Sequence, residues 1–140
     1  MLATILNDFK KSTDTLDFTS YELADEEIIQ VVEAAAEIKK IKGLKLSKNK
    51  LTNEGLKAII PSISFSTNLN LSHNLLTEEG LDEIIKKRTK MPQLRIINLS
   101  ANKLNERKVK SKLEELKRVG IIVTLWLIRK FPFIILNYTS

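Results

Sequence analysis

The sequence predicts an α/β solenoid, a stack of similar short units in which each strand is followed by a helix. Three observations predict it. Four segments superimpose without gaps: TLDFTSYEL from Thr15, GLKLSKNKL from Gly43, NLNLSHNLL from Asn68 and IINLSANKL from Ile96. Their first apolar residues, Leu16, Leu44, Leu69 and Ile97, stand 28, 25 and 28 residues apart, and a weaker fifth copy opens at Val123, 26 residues further on. Within each unit the apolar pattern also changes from the period of a strand to that of a helix.

The strand comes first. Leu44 and Leu46 alternate with polar neighbours, as a strand with one buried face requires. This spacing places strands near 16–18, 44–46, 69–71, 97–99 and 122–125. A polar turn follows, and then Thr52 or Thr77 supplies a hydroxyl that can cap a helix, with Glu54, or Glu78 and Glu79, where carboxylates suit the helix dipole. Apolar residues then recur at helical spacing: Leu56, Ile59 and Ile60; Leu81, Ile84 and Ile85; Val109, Leu113 and Leu116. Helices are expected near 25–40, 53–60, 78–89 and 106–118, with Pro61 and Pro92 falling after two of them. One strand and one helix cannot cover their own apolar flanks, so the units must stack.

Composition bounds the rest. A chain of 140 residues fits one domain, divided into an N-terminal cap with an atypical first repeat (1–40), repeats (41–120) and a C-terminal strand with a cap (121–140). Apolar residues at 43% and charged residues at 29% describe a folded chain, and the net charge of +6 favours acidic partners. The absence of cysteine removes disulfides, thiolate metal sites and thiol nucleophiles together, and fits a reducing, cytoplasmic compartment. MLATILNDFKK has no basic segment before its short apolar run and carries Asp8, so it is a poor secretory signal; export as an effector would have to avoid that route. The apolar stretch Ile121–Tyr138 is interrupted by Arg129, Lys130 and Pro132. Two basic residues near a bilayer centre would cost about 5–7 kcal/mol, which argues against a span. The stretch is expected to add a final strand and fold back over residues 131–136 as a cap, with a dimer contact or a membrane-surface anchor as the alternatives.

LKLSKNKLTNEGLKAII and LNLSHNLLTEEGLDEII carry LxLxxNxL followed by TxxGLxxII, and this resembles the ribonuclease-inhibitor-like class of leucine-rich repeats. The resemblance covers about residues 15 to 125. The fourth copy departs at Asn105 and Lys108, and the first has Tyr21 where the others have asparagine. The resemblance implies a right-handed solenoid with a concave parallel sheet and convex helices. It also implies that Asn49, Asn74 and Asn102 form a structural ladder, their amides satisfying backbone groups that the turn withdraws from the sheet.

Nothing in the sequence assembles a catalytic centre. His73 is the single histidine, Ser47, Ser72 and Ser100 recur in register with the fold, and no GxSxG or HExxH string occurs. Gly55 and Gly80 are isolated and 25 residues apart, unlike a phosphate-binding loop, and are expected to pack one unit against the next. Glu26, Glu27, Glu114 and Glu115 read as solvated helix charges. No enzyme, metal or cofactor is expected.

Function then falls to side chains pointing away from the core. The expected partner-binding set is Lys42, Lys45, Ser47 and Lys48 in the second unit, Asn68, Asn70, Ser72 and His73 in the third, and Arg95, Asn98 and Ser100 in the fourth, with Asp14, Asp17 and Thr19 at an acidic edge. Such a face suits a protein partner carrying acidic groups. Two other readings stand beside it. One is a fragment or regulatory module of a larger repeat protein, such as a GTPase regulator of this repeat class. The other is a basic nucleic-acid surface, disfavoured by the scattered charges and few aromatics.

Overall fold

The computed structural model describes residues 14–38, 41–127 and 134–138. Strands and helices alternate along it: β1 Thr15–Asp17, α1 Asp25–Ala36, β2 Gly43–Lys45, α2 Asn53–Ile59, β3 Asn68–Asn70, α3 Glu78–Lys86, β4 Ile96–Asn98, α4 Glu106–Arg118, β5 Ile122–Leu127 and β6 Ile134–Tyr138. The sheet order is the chain order. β1 to β5 are parallel, with Leu16, Leu44, Leu69, Ile97 and Val123 in one register across the sheet. The architecture is that of a leucine-rich-repeat-like stack, as the 25-to-28-residue period requires.

The repeat strands begin one residue before the expected positions, because pairing starts at Thr15, Gly43, Asn68 and Ile96. Backbone hydrogen bonds still continue past the strands, with Leu46 N–H donating to the Asn70 carbonyl at 2.8 Å and Leu71 N–H to Asn98 at 2.9 Å. The first three helices are shorter than expected, while α4 spans the expected 106–118. Helix α1 ends at Ala36 rather than 40, with residues 39–40 outside those described. Pro61 falls after α2, as expected, inside a 3-10 turn at Ile60–Ser62, since an imide cannot donate the next helical bond. A second such turn, Arg88–Lys90, follows α3.

Alternate residues build the core. Leu16, Leu44, Leu69, Ile97 and Val123 form one inward column and Phe18, Leu46, Leu71, Leu99 and Leu125 the next, all at most 1% exposed. Ile28, Val32, Leu56, Ile59, Leu81, Ile84, Val109 and Leu113 belong to the same buried cluster and cover the strands from the helix side. Each such side chain contributes about 1.5–3 kcal/mol by leaving water.

At the C-terminal end β6 pairs antiparallel with β5, from Val123 opposite Tyr138 to Leu127 opposite Ile134. The six residues 128–133 between them are too few for the crossover a parallel partner needs. The fold-back expected at 131–136 thus meets a strand at Ile134–Tyr138, while 131–133, Arg129 and Lys130 lie outside the described residues.

The turn after each strand depends on an amide. Asn49 accepts from Leu23 N–H at 2.9 Å and donates to the carbonyls of Phe18 (2.9 Å), Leu46 (3.0 Å) and Ser47 (3.2 Å). Asn74 repeats this with Leu51 N–H and the carbonyls of Leu46, Leu71 and Ser72, and Asn102 with Leu76 N–H and those of Leu71, Leu99 and Ser100. Every amide therefore serves its own turn and that of the preceding unit. Tyr21 stands at this position in the first unit; it is exposed, its ring edge-on to Phe18 with centroids 5.9 Å apart.

The residue before each asparagine is left-handed: Lys48 has φ 58°, His73 54° and Ala101 55°. A β-carbon there costs about 1–2 kcal/mol, partly offset by the extra freedom glycine has when unfolded. Replacing Ala101 with glycine is expected to stabilise the protein by about 0.5–1 kcal/mol, read as a higher urea midpoint at unchanged slope.

A second ladder joins the helix N-termini. Asp25, the first residue of α1, accepts from Thr52 N–H at 2.9 Å and from its hydroxyl at 2.5 Å. Asn53 accepts from Thr77 N–H at 3.0 Å and donates to its hydroxyl at 2.7 Å. Glu78 accepts from Asn105 N–H at 3.4 Å. Gly55 and Gly80 are small for this reason: a Cβ would lie 2.1 Å from Asp25 Oδ1 at the first and 2.7 Å from Asn53 Oδ1 at the second. Lys108 stands at the same repeat position in α4 and meets its neighbour Glu78 as an ion pair at 3.6 Å.

Glu78 is held below the usual carboxylate range, chiefly by its own backbone N–H at the helix start, with the Asn105 N–H and Lys108 adding to it against some desolvation. A depressed folded pKa means stabilisation that is present above the unfolded value, near 4.5, and is lost as pH falls through the folded value. The expected result is that Glu78→Gln flattens the acid limb of the stability curve below about pH 4.5 without moving its alkaline limb.

Candidate partner-binding face

With helices on one side of the sheet, the strand residues between the inward columns lie on its open side. They form two rows: Thr15, Gly43, Asn68, Ile96 and Ile122, then Asp17, Lys45, Asn70, Asn98 and Thr124. Most of both rows line a shallow depression of about 210 Å3 that crosses the strands from Thr15 to Thr124. Gly43 is buried in its floor, where the neighbouring Thr15 side chain takes the space that a Cβ would need. Ile96, at 37% exposure, is the large hydrophobic residue that this face presents to solvent.

The expected site residues divide on this geometry. Lys45, Asn68, Asn70 and Asn98 lie in the depression. Lys42 is exposed at the entry to β2, while Lys48 and His73 are exposed on the left-handed turn at the far end of the strands. Ser47, Ser72 and Ser100 differ from the expectation, being only 6%, 6% and 5% exposed. Their hydroxyls serve the turn. Ser47 and Ser72 share a 2.7 Å hydrogen bond, and Ser72 donates through both N–H and Oγ to Asn70 Oδ1 at 3.1 and 2.7 Å. Arg95 also departs from the expected face, its guanidinium donating to the Pro92 and Leu94 carbonyls at 3.1 Å each, in the loop that enters β4.

Asparagine and aspartate in the second row have a local duty as well. Asp17 accepts from Thr19 N–H at 2.9 Å and Asn98 from Ser100 N–H at 3.0 Å, as Asn70 does from Ser72. Their remaining polar atoms face solvent. Lys45 is the exception in this row, with no carboxylate or amide to hold the Ser47 turn, and so a cation stands where neighbouring units carry a capping acceptor.

Thr15, Gly43, Ile96 and Thr124 line the depression but were absent from the expected set. The signal existed: strict alternation about Leu16, Leu44, Ile97 and Val123 puts the residue before each of them on the same side as the residue after it. Starting the strands one residue too late concealed Thr15, Gly43 and Ile96, whereas Thr124 lay within the expected final strand.

The described ion pairs lie elsewhere. Lys87 meets Glu83 at 3.1 Å, Arg88 meets Glu115 at 3.9 Å, and Lys112 meets Asp82, all on the helix side. Lys42, Lys45 and Lys48 have no ion pair among the described residues. No group of three or more His, Asp or Glu side chains is placed to hold a metal ion among them, and no described helix is long and apolar enough to cross a membrane.

No family model matches the chain, and no curated protein matches it. Among solved structures it is similar to leiomodin-1 actin-binding site 2, with a TM-score of 0.64 and 14% identity over 93% of this chain and 78% of that one. At this identity the likeness is one of fold.

Proposed function

We propose that this chain is a non-catalytic protein-interaction module of the ribonuclease-inhibitor-like leucine-rich-repeat class, with right-handed crossovers, and that a partner protein seats on the open face of its sheet. One observation carries the reading. Positions that keep their residue from unit to unit are spent on the stack: the inward leucines, the ladder asparagines and the buried serines. The two outward rows are far more varied, running from Thr15 to Gly43, Asn68, Ile96 and Ile122, and from Asp17 to Lys45, Asn70, Asn98 and Thr124, with only the steps Ile96 to Ile122 and Asn70 to Asn98 keeping their residue. Side chains that vary from unit to unit and are gathered on one surface suit recognition rather than support, even where Asp17, Asn70 and Asn98 also cap their own strand ends.

The similarity to an actin-binding site adds a first defined probe, although fold alone does not transfer a partner. A face of four or five short strands is small, so affinity of about micromolar order is expected. The test is co-sedimentation with purified actin together with affinity capture from cell extract, using wild type, Asn68→Arg/Thr124→Arg on the open face and Lys86→Glu/Lys90→Glu on the helix side. Capture should weaken at least several-fold for the first variant and persist for the second. The reverse pattern would move the interface to the helices and overturn the proposal.

A further inference from the structure

The open face is ordered in its chemistry, not merely varied. Across successive units it runs from acidic (Asp14, Asp17) through basic (Lys42, Lys45, Lys48) and amide (Asn68, Asn70) to the exposed Ile96 beside Asn98. We infer that its occupant is an acidic protein segment that lies across the strands, with a carboxylate over Lys45, further attraction from Lys42 and Lys48 at the two ends of the same strand, and an aliphatic side chain against Ile96. This deepens the open-face reading and rests on it.

Three features select that occupant. The three lysines of the second unit are exposed, have no ion-pair partner among the described residues, and are gathered on a single repeat of the sheet. Charge left unmatched on a face that is otherwise amide and apolar is complementary to anions brought by a partner. Asp14 and Asp17 in the preceding unit repel the same anions, so an acidic segment is confined to one register instead of sliding along the stack. Ile96 lies two strands away from Lys45, about 10 Å at the usual strand spacing. Base stacking, which a nucleic acid would need, finds no aromatic ring lining the depression among the described side chains.

The test is selection of a displayed library of unbiased 12-residue peptides on the wild-type protein, with the selected peptides then measured in solution by fluorescence anisotropy. The enriched peptides should carry two or more acidic residues and an aliphatic one. They should bind about ten-fold more weakly to Lys42→Glu/Lys45→Glu/Lys48→Glu, and less so to the milder Lys42→Gln/Lys45→Gln, which guards against a folding defect in the first. Raising salt from 50 to 300 mM should weaken binding several-fold. Ile96→Ser should lower affinity for peptides with the aliphatic residue and leave its alanine version unchanged. Neutral or basic peptides that are lost on Asn68→Arg/Thr124→Arg would overturn the acidic occupant while leaving the open-face reading intact. Failure to enrich, or binding insensitive to every open-face change, would overturn both. Tighter binding of a single-stranded oligonucleotide through the same lysines would replace the peptide with a nucleic acid.

Discussion

Replacing Asn74 with alanine is expected to cost about 4 kcal/mol of stability, near the upper end of single-residue effects. The side chain is 5% exposed, and its amide makes four hydrogen bonds. Two of them reach the preceding unit, from Leu51 N–H and to the Leu46 carbonyl, both at 2.9 Å. A methyl group satisfies none. Water cannot enter without opening the joint between the second and third units, so the Leu51 N–H loses its only acceptor in a buried turn. An orphaned buried donor costs about 1–3 kcal/mol, and the carbonyls, which keep a second lone pair, cost less each. For a chain of this size the thermal midpoint should fall by on the order of 10 °C. Asn102→Ala is the internal control: its bonds are analogous but its side chain is only half-buried, and a cost of about 2 kcal/mol is expected. Asn74→Asp separates hydrogen bonding from volume, since it keeps the acceptor but sets a carboxylate against the Leu46, Leu71 and Ser72 carbonyls. It should be less stable at pH 7 than at pH 4, where a protonated acid can donate once. Equal midpoints for Asn74→Ala and wild type would remove the amide ladder from the account of stability.

The ladder was legible in the sequence because its residue never changes: three asparagines in register, each six residues after a strand begins, leave little else for them to do. The helix-start ladder was not. Asp25, Asn53 and Glu78 share a geometric task, accepting the next unit's first N–H, yet they are three residue types, so no repeated letter marks them. Its trace in the sequence was indirect, in Gly55 and Gly80, which read correctly as packing glycines although not against what. The face divided the same way. Alternation placed Lys45, Asn70 and Asn98 outward, but it could not show that the Ser72 hydroxyl turns back to bond Asn70 while Ser47 bonds Ser72, because a hydroxyl is equally at home in solvent and in a turn. Arg95 misled for a related reason: a long side chain at a strand entry has two directions open to it, and nearby carbonyls decide between them. Strand β6 was hidden by its apolar composition, which fits a cap as well as a strand.

Gly55→Ala is expected to be the second most damaging of these changes, at about 3 kcal/mol, and the cost should vanish selectively when Asp25 is also removed. In an ordinary helix alanine would be better than glycine by about 1 kcal/mol, so the sign itself is diagnostic. The added Cβ would lie 2.1 Å from Asp25 Oδ1 and 2.8 Å from Leu51 Cδ1. Something must move, and the carboxylate cannot do so freely, since both of its oxygens hold Thr52 at the start of α2. The substitution therefore overpacks the joint and breaks that cap at once. Asp25→Ala alone loses the two charge-assisted bonds, at about 2 kcal/mol, and creates no clash. In the double variant the cap is already gone and the carboxylate no longer blocks the Cβ. The combined cost should be near that of Asp25→Ala alone, well under the sum of about 5 kcal/mol, which gives a coupling of about 2–3 kcal/mol between residues thirty positions apart. Gly80→Ala, whose Cβ would lie 2.7 Å from Asn53 Oδ1, should cost about half as much. Chemical denaturation of the four members of the cycle decides the matter: additive costs would mean that Gly55 is small for its own helix, and coupled costs that it is small for the neighbouring unit.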